Sequence, residues 1–147
     1  MSGLPHKFVL FIDRNSGGRT FRALIENQGV AVKLHDEYFS MNTEDPDWLR
    51  EVGERGWIMI TGDAKVTRAP LFLSTLTRTT ARVFILKELN GATPEGKAQC
   101  VISHYERIVS ICQTHKAPLL WKINKDGSLR EIDFRKHLHR MKRHQRS

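Results

Sequence analysis

Cysteine is scarce in this chain: Cys100 and Cys112 are the two in 147 residues. No Cys-x-x-Cys pair occurs and no His/Cys set has zinc spacing, so the pattern argues against a disulfide scaffold and a structural zinc site. Two buried free thiols are expected instead. Long apolar runs are also missing. None approaches the roughly 18 residues of a membrane-spanning helix. The apolar stretch of "MSGLPHKFVLFID" ends at an acid with no small-residue cleavage site behind it, which is not a signal-peptide layout. These absences predict a cytoplasmic protein with no membrane partner. Repeats, low-complexity segments and internal linkers are absent too, so one domain is expected.

Acid is absent from the end of the chain. From Arg135 to Ser147 there are six Lys or Arg and no Asp or Glu, which leaves 18 basic and 16 acidic groups, a net of +2, in the other 134 residues. The overall +8 is therefore concentrated in the last segment. The sequence divides into a nearly balanced body, 1–134, and a basic tail, 135–147. Arg135, Lys136, Arg140, Lys142 and Arg143 suit a polyanion or an acidic partner. A solvated tail that only aids solubility is the plainer reading of the same residues.

The body is ordinary in composition, with a hydrophobic fraction of 39% and a charged fraction of 27%. Its apolar runs are short and evenly spaced. "KFVLFID" (7–13), "VAVKLH" (30–35), "WIMITGD" (57–63) and "ARVFILK" (81–87) read as buried parallel strands. "PLLWKIN" (118–124) and "SLREI" (128–132) flank "KDG" as a short hairpin. Between the strands, 19–29 carries Phe21, Leu24 and Ile25 at helical spacing. Residues 36–44 read as a loop. In 45–56, Asp45 suits a helix N-cap, with Pro46 at the first helical position and Asp47 in the first turn. Residues 68–80 and 93–115 complete the helices, the last opening on Thr93 as cap. Strands alternating with helices define an α/β domain whose mainly parallel sheet is covered on both faces.

In such a sheet the active crevice lies off the carboxyl ends of the strands. The first strand ends at Asp13 and the third at Asp63, and a long loop after the second strand can bring Asp45 to the same rim. Three crowded carboxylates repel one another unless a cation sits among them. Mg²⁺ or Mn²⁺ suits an all-oxygen set. Such an ion activates water and steadies the charge on a phosphodiester. Thr61 is placed to hydrogen-bond a ligand carboxylate, and Arg14 to hold a phosphate or pair with an acid. Each acid also has a bland reading, Asp45 as a cap and Asp63 as a turn former. His35, at the end of the second strand, reads as a partly buried strand-end histidine or as a substrate or metal contact. Trp48, Trp57 and Trp121 read as core.

Taken in order, "FVLFIDRN", a helix, a strand to "HDEYF", then "EDPDWL" and "GWIMITGD" resemble the PIN-like domain nucleases, the group that includes VapC-type toxins. The likeness is to a compact variant and its specific motifs lie in the first 65 residues. The resemblance implies a three-layer α/β/α fold with a C-terminal hairpin or edge strand. It also implies a divalent-metal-dependent endoribonuclease, with Asp13, Asp45 and Asp63 as catalytic metal ligands. RNA, an antitoxin protein and a second copy of the chain are the partners it implies. Two positions depart from the family pattern: Arg14 stands where many relatives have an acid, and so does Lys65. Asp36, Glu37 and Asp47 are the candidates to replace the missing fourth acid. Salt bridges from Arg14 and Lys65 to the rim acids would instead make the chain a non-catalytic nucleic-acid- or partner-binding module. An aspartyl-phosphate chemistry would want an acid where Asn15 stands.

Overall fold

Every apolar run read as a strand pairs into one six-stranded sheet of order β2-β1-β3-β4-β5-β6. The computed structural model describes residues 8–13, 16, 18–39, 45–124 and 126–146, with the backbone alone at 36, 45, 46 and 144–146. The strands are β1 (Val9–Ile12), β2 (Ala31–Leu34), β3 (Ile58–Thr61), β4 (Arg82–Leu86), β5 (Leu119–Ile123) and β6 (Leu129–Glu131). β1 to β5 are parallel, and β6 returns antiparallel along β5 as the hairpin predicted from sequence. Leu10, Phe11, Ile58, Ile60, Val83 and Phe84 are fully buried because helices cover both faces of the sheet.

The alternation along each strand sorts the core into two layers. Leu10, Ile12, Ile60 and Phe84 face α1 (Arg19–Glu26) and α5 (Pro94–Thr114). Phe11, Met59, Val83 and Leu120 face α3 (Asp45–Glu54), α4 (Pro70–Thr77) and α6 (Phe134–Arg146). Trp48 and Trp57 lie in the second layer, while Trp121 packs partly buried against the first. The result is the three-layer α/β/α architecture with an antiparallel edge strand.

The connections are not all of one hand. β3–α4–β4 and β4–α5–β5 step across the sheet in the same direction, yet α4 and α5 lie on opposite faces. One of them therefore departs from the usual right-handed crossover. The consequence is spatial: α5 packs beside α1, and the face beyond α4 is left for α6.

Three segments differ from their sequence reading. The expected loop 36–44 opens as a one-turn helix, α2 (His35–Tyr38), because the Glu37 carboxylate reaches back to accept the Leu34 N–H at 3.2 Å. The helix expected over 68–80 runs from Pro70 to Thr77, after a 3-10 turn over Ala64–Arg68, and Leu71 is 58% exposed while Leu73 and Leu76 are buried. The basic segment is helical: α6 buries Phe134 and Leu138, and Met141 packs against the same layer. Its apolar positions recur at i, i+4 and i+7, a stripe hidden among its cations. Among the described residues no helix is long and apolar enough to cross a membrane.

Candidate functional site

β1 lies between β2 and β3, so the chain leaves it in one direction and returns on the other side. Such a reversal opens a crevice at the carboxyl ends of the flanking strands. Asp13 follows β1 and Thr61, Gly62 and Asp63 close β3, so both arrive at that crevice. The ladder continues one residue beyond β1, where the Asp13 N–H donates to the Ile60 carbonyl at 3.2 Å.

One hydroxyl joins the two strand ends. Thr61 is fully buried, and its Oγ1 donates to the Asp13 carboxylate while accepting the Asp63 N–H at 3.0 Å. A β-branched residue fits the end of a buried strand, and this one satisfies its polar atom in both roles. Asp13 is half-buried, and Asp63 is exposed with Oδ1 accepting the Lys65 N–H at 2.9 Å, which caps the 3-10 turn. Lys65 meets Asp63 through its backbone, and among the described residues no ion pair joins the two side chains.

Two residues not singled out from sequence hold the peptide between these acids. Buried Ser16 accepts the Gly62 N–H on Oγ at 2.9 Å, and Asn90 donates Nδ2 to the Gly62 carbonyl at 2.8 Å. A Cβ at position 62 would stand 2.8 Å from Asn90 Oδ1 and 3.0 Å from Leu89 Cβ, so a larger residue would displace the amide that bonds the Gly62 carbonyl. Asn90 follows β4 along the same edge, and its place after a third parallel strand was the available clue.

The other predicted residues lie as follows. Arg14 and the side chains of Asp36 and Asp45 are outside the described residues; the backbone shows α3 beginning at Asp45. Asp47 is exposed on α3. Glu37 is engaged with Arg22 of α1 as well as with Leu34, and the Arg22 guanidinium holds its carboxyl below the usual carboxylate range. His35 is buried among the rings of Phe11, Phe39 and Trp48, with centroids 5.5–6.0 Å away. Arg135 lies over the Phe134 ring at 4.8 Å, and Lys136, Arg140, Lys142 and Arg143 are exposed on α6.

Among the described residues no group of three or more His, Cys, Asp or Glu gathers to hold a metal ion. Asp13 and Asp63 nevertheless suit Mg²⁺, which commonly takes one or two carboxylates and keeps several waters. Asp63 retains Oδ2 outside its capping bond.

A mainly parallel α/β sheet with carboxylates at its switch point places this pair where open α/β domains bind their ligands. Residues 8–88, more than half of the chain, match the family described as PIN like domain. The chain belongs to the PIN-like domain family, whose members are generally nucleases and typically use divalent metal ions. No curated protein matches it in sequence.

Proposed function

We propose that the protein is a Mg²⁺- or Mn²⁺-dependent endoribonuclease whose metal ligands are Asp13, Asp63 and Asp45. It would act on RNA in the cytoplasm as the toxin of a toxin–antitoxin pair, with an antitoxin protein and a second copy of itself as partners. The observation that carries the reading is the Thr61 hydroxyl, which links the Asp13 carboxylate to the Asp63 backbone at the topological switch point. When bound, the ion supplies water activation and offsets charge on the phosphodiester. The protein's part is preorganisation. Thr61 holds the Asp13 carboxylate in one orientation, and Ser16 and Asn90 fix the Gly62 peptide so that Asp63 keeps its place.

The test is cleavage of a labelled single-stranded RNA by the parent, Asp13→Asn and Asp63→Asn, with and without EDTA. Both amides preserve shape, and asparagine at 63 still caps the turn. Cleavage should be lost in EDTA and fall at least about a hundredfold in each variant, the scale of one electrostatic contribution to the transition state. Equal cleavage by parent and Asp63→Asn would overturn the reading. One observation favours the non-catalytic module instead: Asp63 commits an oxygen to the Lys65 N–H. Mn²⁺ binding that Asp13→Asn leaves unchanged would decide for the module.

A further inference from the structure

The cations of the C-terminal segment are not spread evenly around α6. Lys136, His137 and Arg140 border a cleft of about 360 Å³ whose opposite wall is the β5–β6 hairpin and whose end is formed by Ala64 and Thr67 of the turn after Asp63. The hairpin contributes Lys122 and Arg130. These two are direct cross-strand partners and line the same cleft. Like charges directly opposite on a sheet destabilise it. Among the described residues none of Lys122, Arg130, Lys136 and Arg140 makes an ion pair. The cleft also holds two acids, Glu131 and Asp133, the latter accepting the Lys136 N–H on Oδ1 at 3.0 Å, so its four Lys and Arg cations outnumber its carboxylates. A repelling pair held open beside two further cations is the arrangement a polyanion relieves. Guanidinium groups favour phosphate, which their planar fork matches.

We propose that this cleft binds the phosphodiester backbone of RNA, holding phosphates beside the one placed at the Asp13–Asp63 rim; this rests on the ribonuclease reading above. Ala64, on the cleft wall, is bonded to Asp63, so one strand reaches both. That continuity favours a polymer with repeated phosphates over an acidic peptide. The residues that form the cleft cations lie outside the 8–88 match, so this surface is additional to the shared part of the fold.

The experiment is fluorescence anisotropy of a labelled single-stranded RNA across a salt series, with the parent, Lys122→Ala/Arg130→Ala, and Lys97→Ala/Lys116→Ala. In the control pair, Lys97 lies on α5 and Lys116 just beyond its end, and neither lines the cleft. The cleft variant should bind about tenfold or more weakly near 0.1 M salt and lose about 1.4 from its log–log salt slope, the value for two lost phosphate contacts on a single strand. The control should match the parent. A circular-dichroism melt guards against misfolding, and removing the repelling pair should not lower the melting temperature. Unchanged affinity and slope in the cleft variant would overturn the proposal, as would an acidic peptide that competes as well as RNA at equal charge. RNA held by the cleft but left uncut would sink the ribonuclease reading alone. RNA cut with normal affinity by the cleft variant would sink the cleft alone.

Discussion

Thr61 is the residue on which the rim turns. Its side chain is inaccessible to water and serves as donor to one acid and acceptor for the backbone of the other. Thr61→Val keeps the shape and removes both bonds. The variant should lose about 1–2 kcal/mol of stability in urea unfolding, because the Asp13 carboxylate and the Asp63 N–H each lose a partner. It should lose more in RNA cleavage than in RNA binding, because the cleft cations are untouched. His35 shows the opposite outcome at this scale. A histidine beside acids in sequence suggests chemistry, but the fold surrounds it with aromatic rings. Only the neighbours of a side chain separate those cases, and they come from distant parts of the chain.

At the scale of elements, α3 and β4 meet through backbone. Thr80 Oγ1 donates to the Gly53 carbonyl at 3.0 Å, and a Cβ at Gly53 would stand 2.9 Å from Ala81 N and 3.2 Å from the Thr80 carbonyl carbon. In an isolated helix, Gly53→Ala would be favourable by about 1 kcal/mol. Here the clash is with main chain that cannot swing aside, so the sign reverses. The variant should be destabilised by about 1–3 kcal/mol, read from the denaturant midpoint. Helix α5 shows how much of an element was legible. Thr93 accepts the Gly96 N–H at 3.0 Å with Pro94 behind it, as the capping pattern predicts, and the helix runs to Thr114. α2 was not legible, because its start depends on Glu37 folding back onto Leu34 and on a grip from Arg22 fifteen residues earlier. α6 was masked by its own charge. The cations dominate its composition, while Phe134, Leu138 and Met141 find a layer to join only once the sheet is assembled.

For the whole molecule, the two layers differ in what they bury. Cys100 and Cys112 are free and buried in the α1–α5 layer. Burial pushes the Cys100 thiol up to about 11 and Cys112 up to about 12. The thiolate is the reactive form. Both cysteines should therefore resist iodoacetamide at pH 8 in the native protein and react fully in guanidinium, as mass spectrometry would show. Because the folded values are raised above the unfolded ones, the protonated thiols contribute stability that is fully present below roughly pH 8.5 and is lost as pH rises towards the folded values. Stability should accordingly fall on the alkaline side, and replacing both cysteines with alanine should flatten that fall even as it lowers stability at neutral pH.

The sequence by itself determined the six strands, the helices α1, α3, α4 and α5 between them, the capped start of α5 and the two acids that close β1 and β3. Apolar periodicity and cap chemistry act over a few residues, so they can be read along the chain. Tertiary structure alone decided the opposed hands of successive crossovers, the docking of α6, the role of Ser16 and Asn90 around Gly62, and the meeting of Lys122 with Arg130 beside α6. Those features depend on which face each helix covers and which strands lie side by side. These are choices made by packing among residues far apart in the chain, and no local pattern carries them.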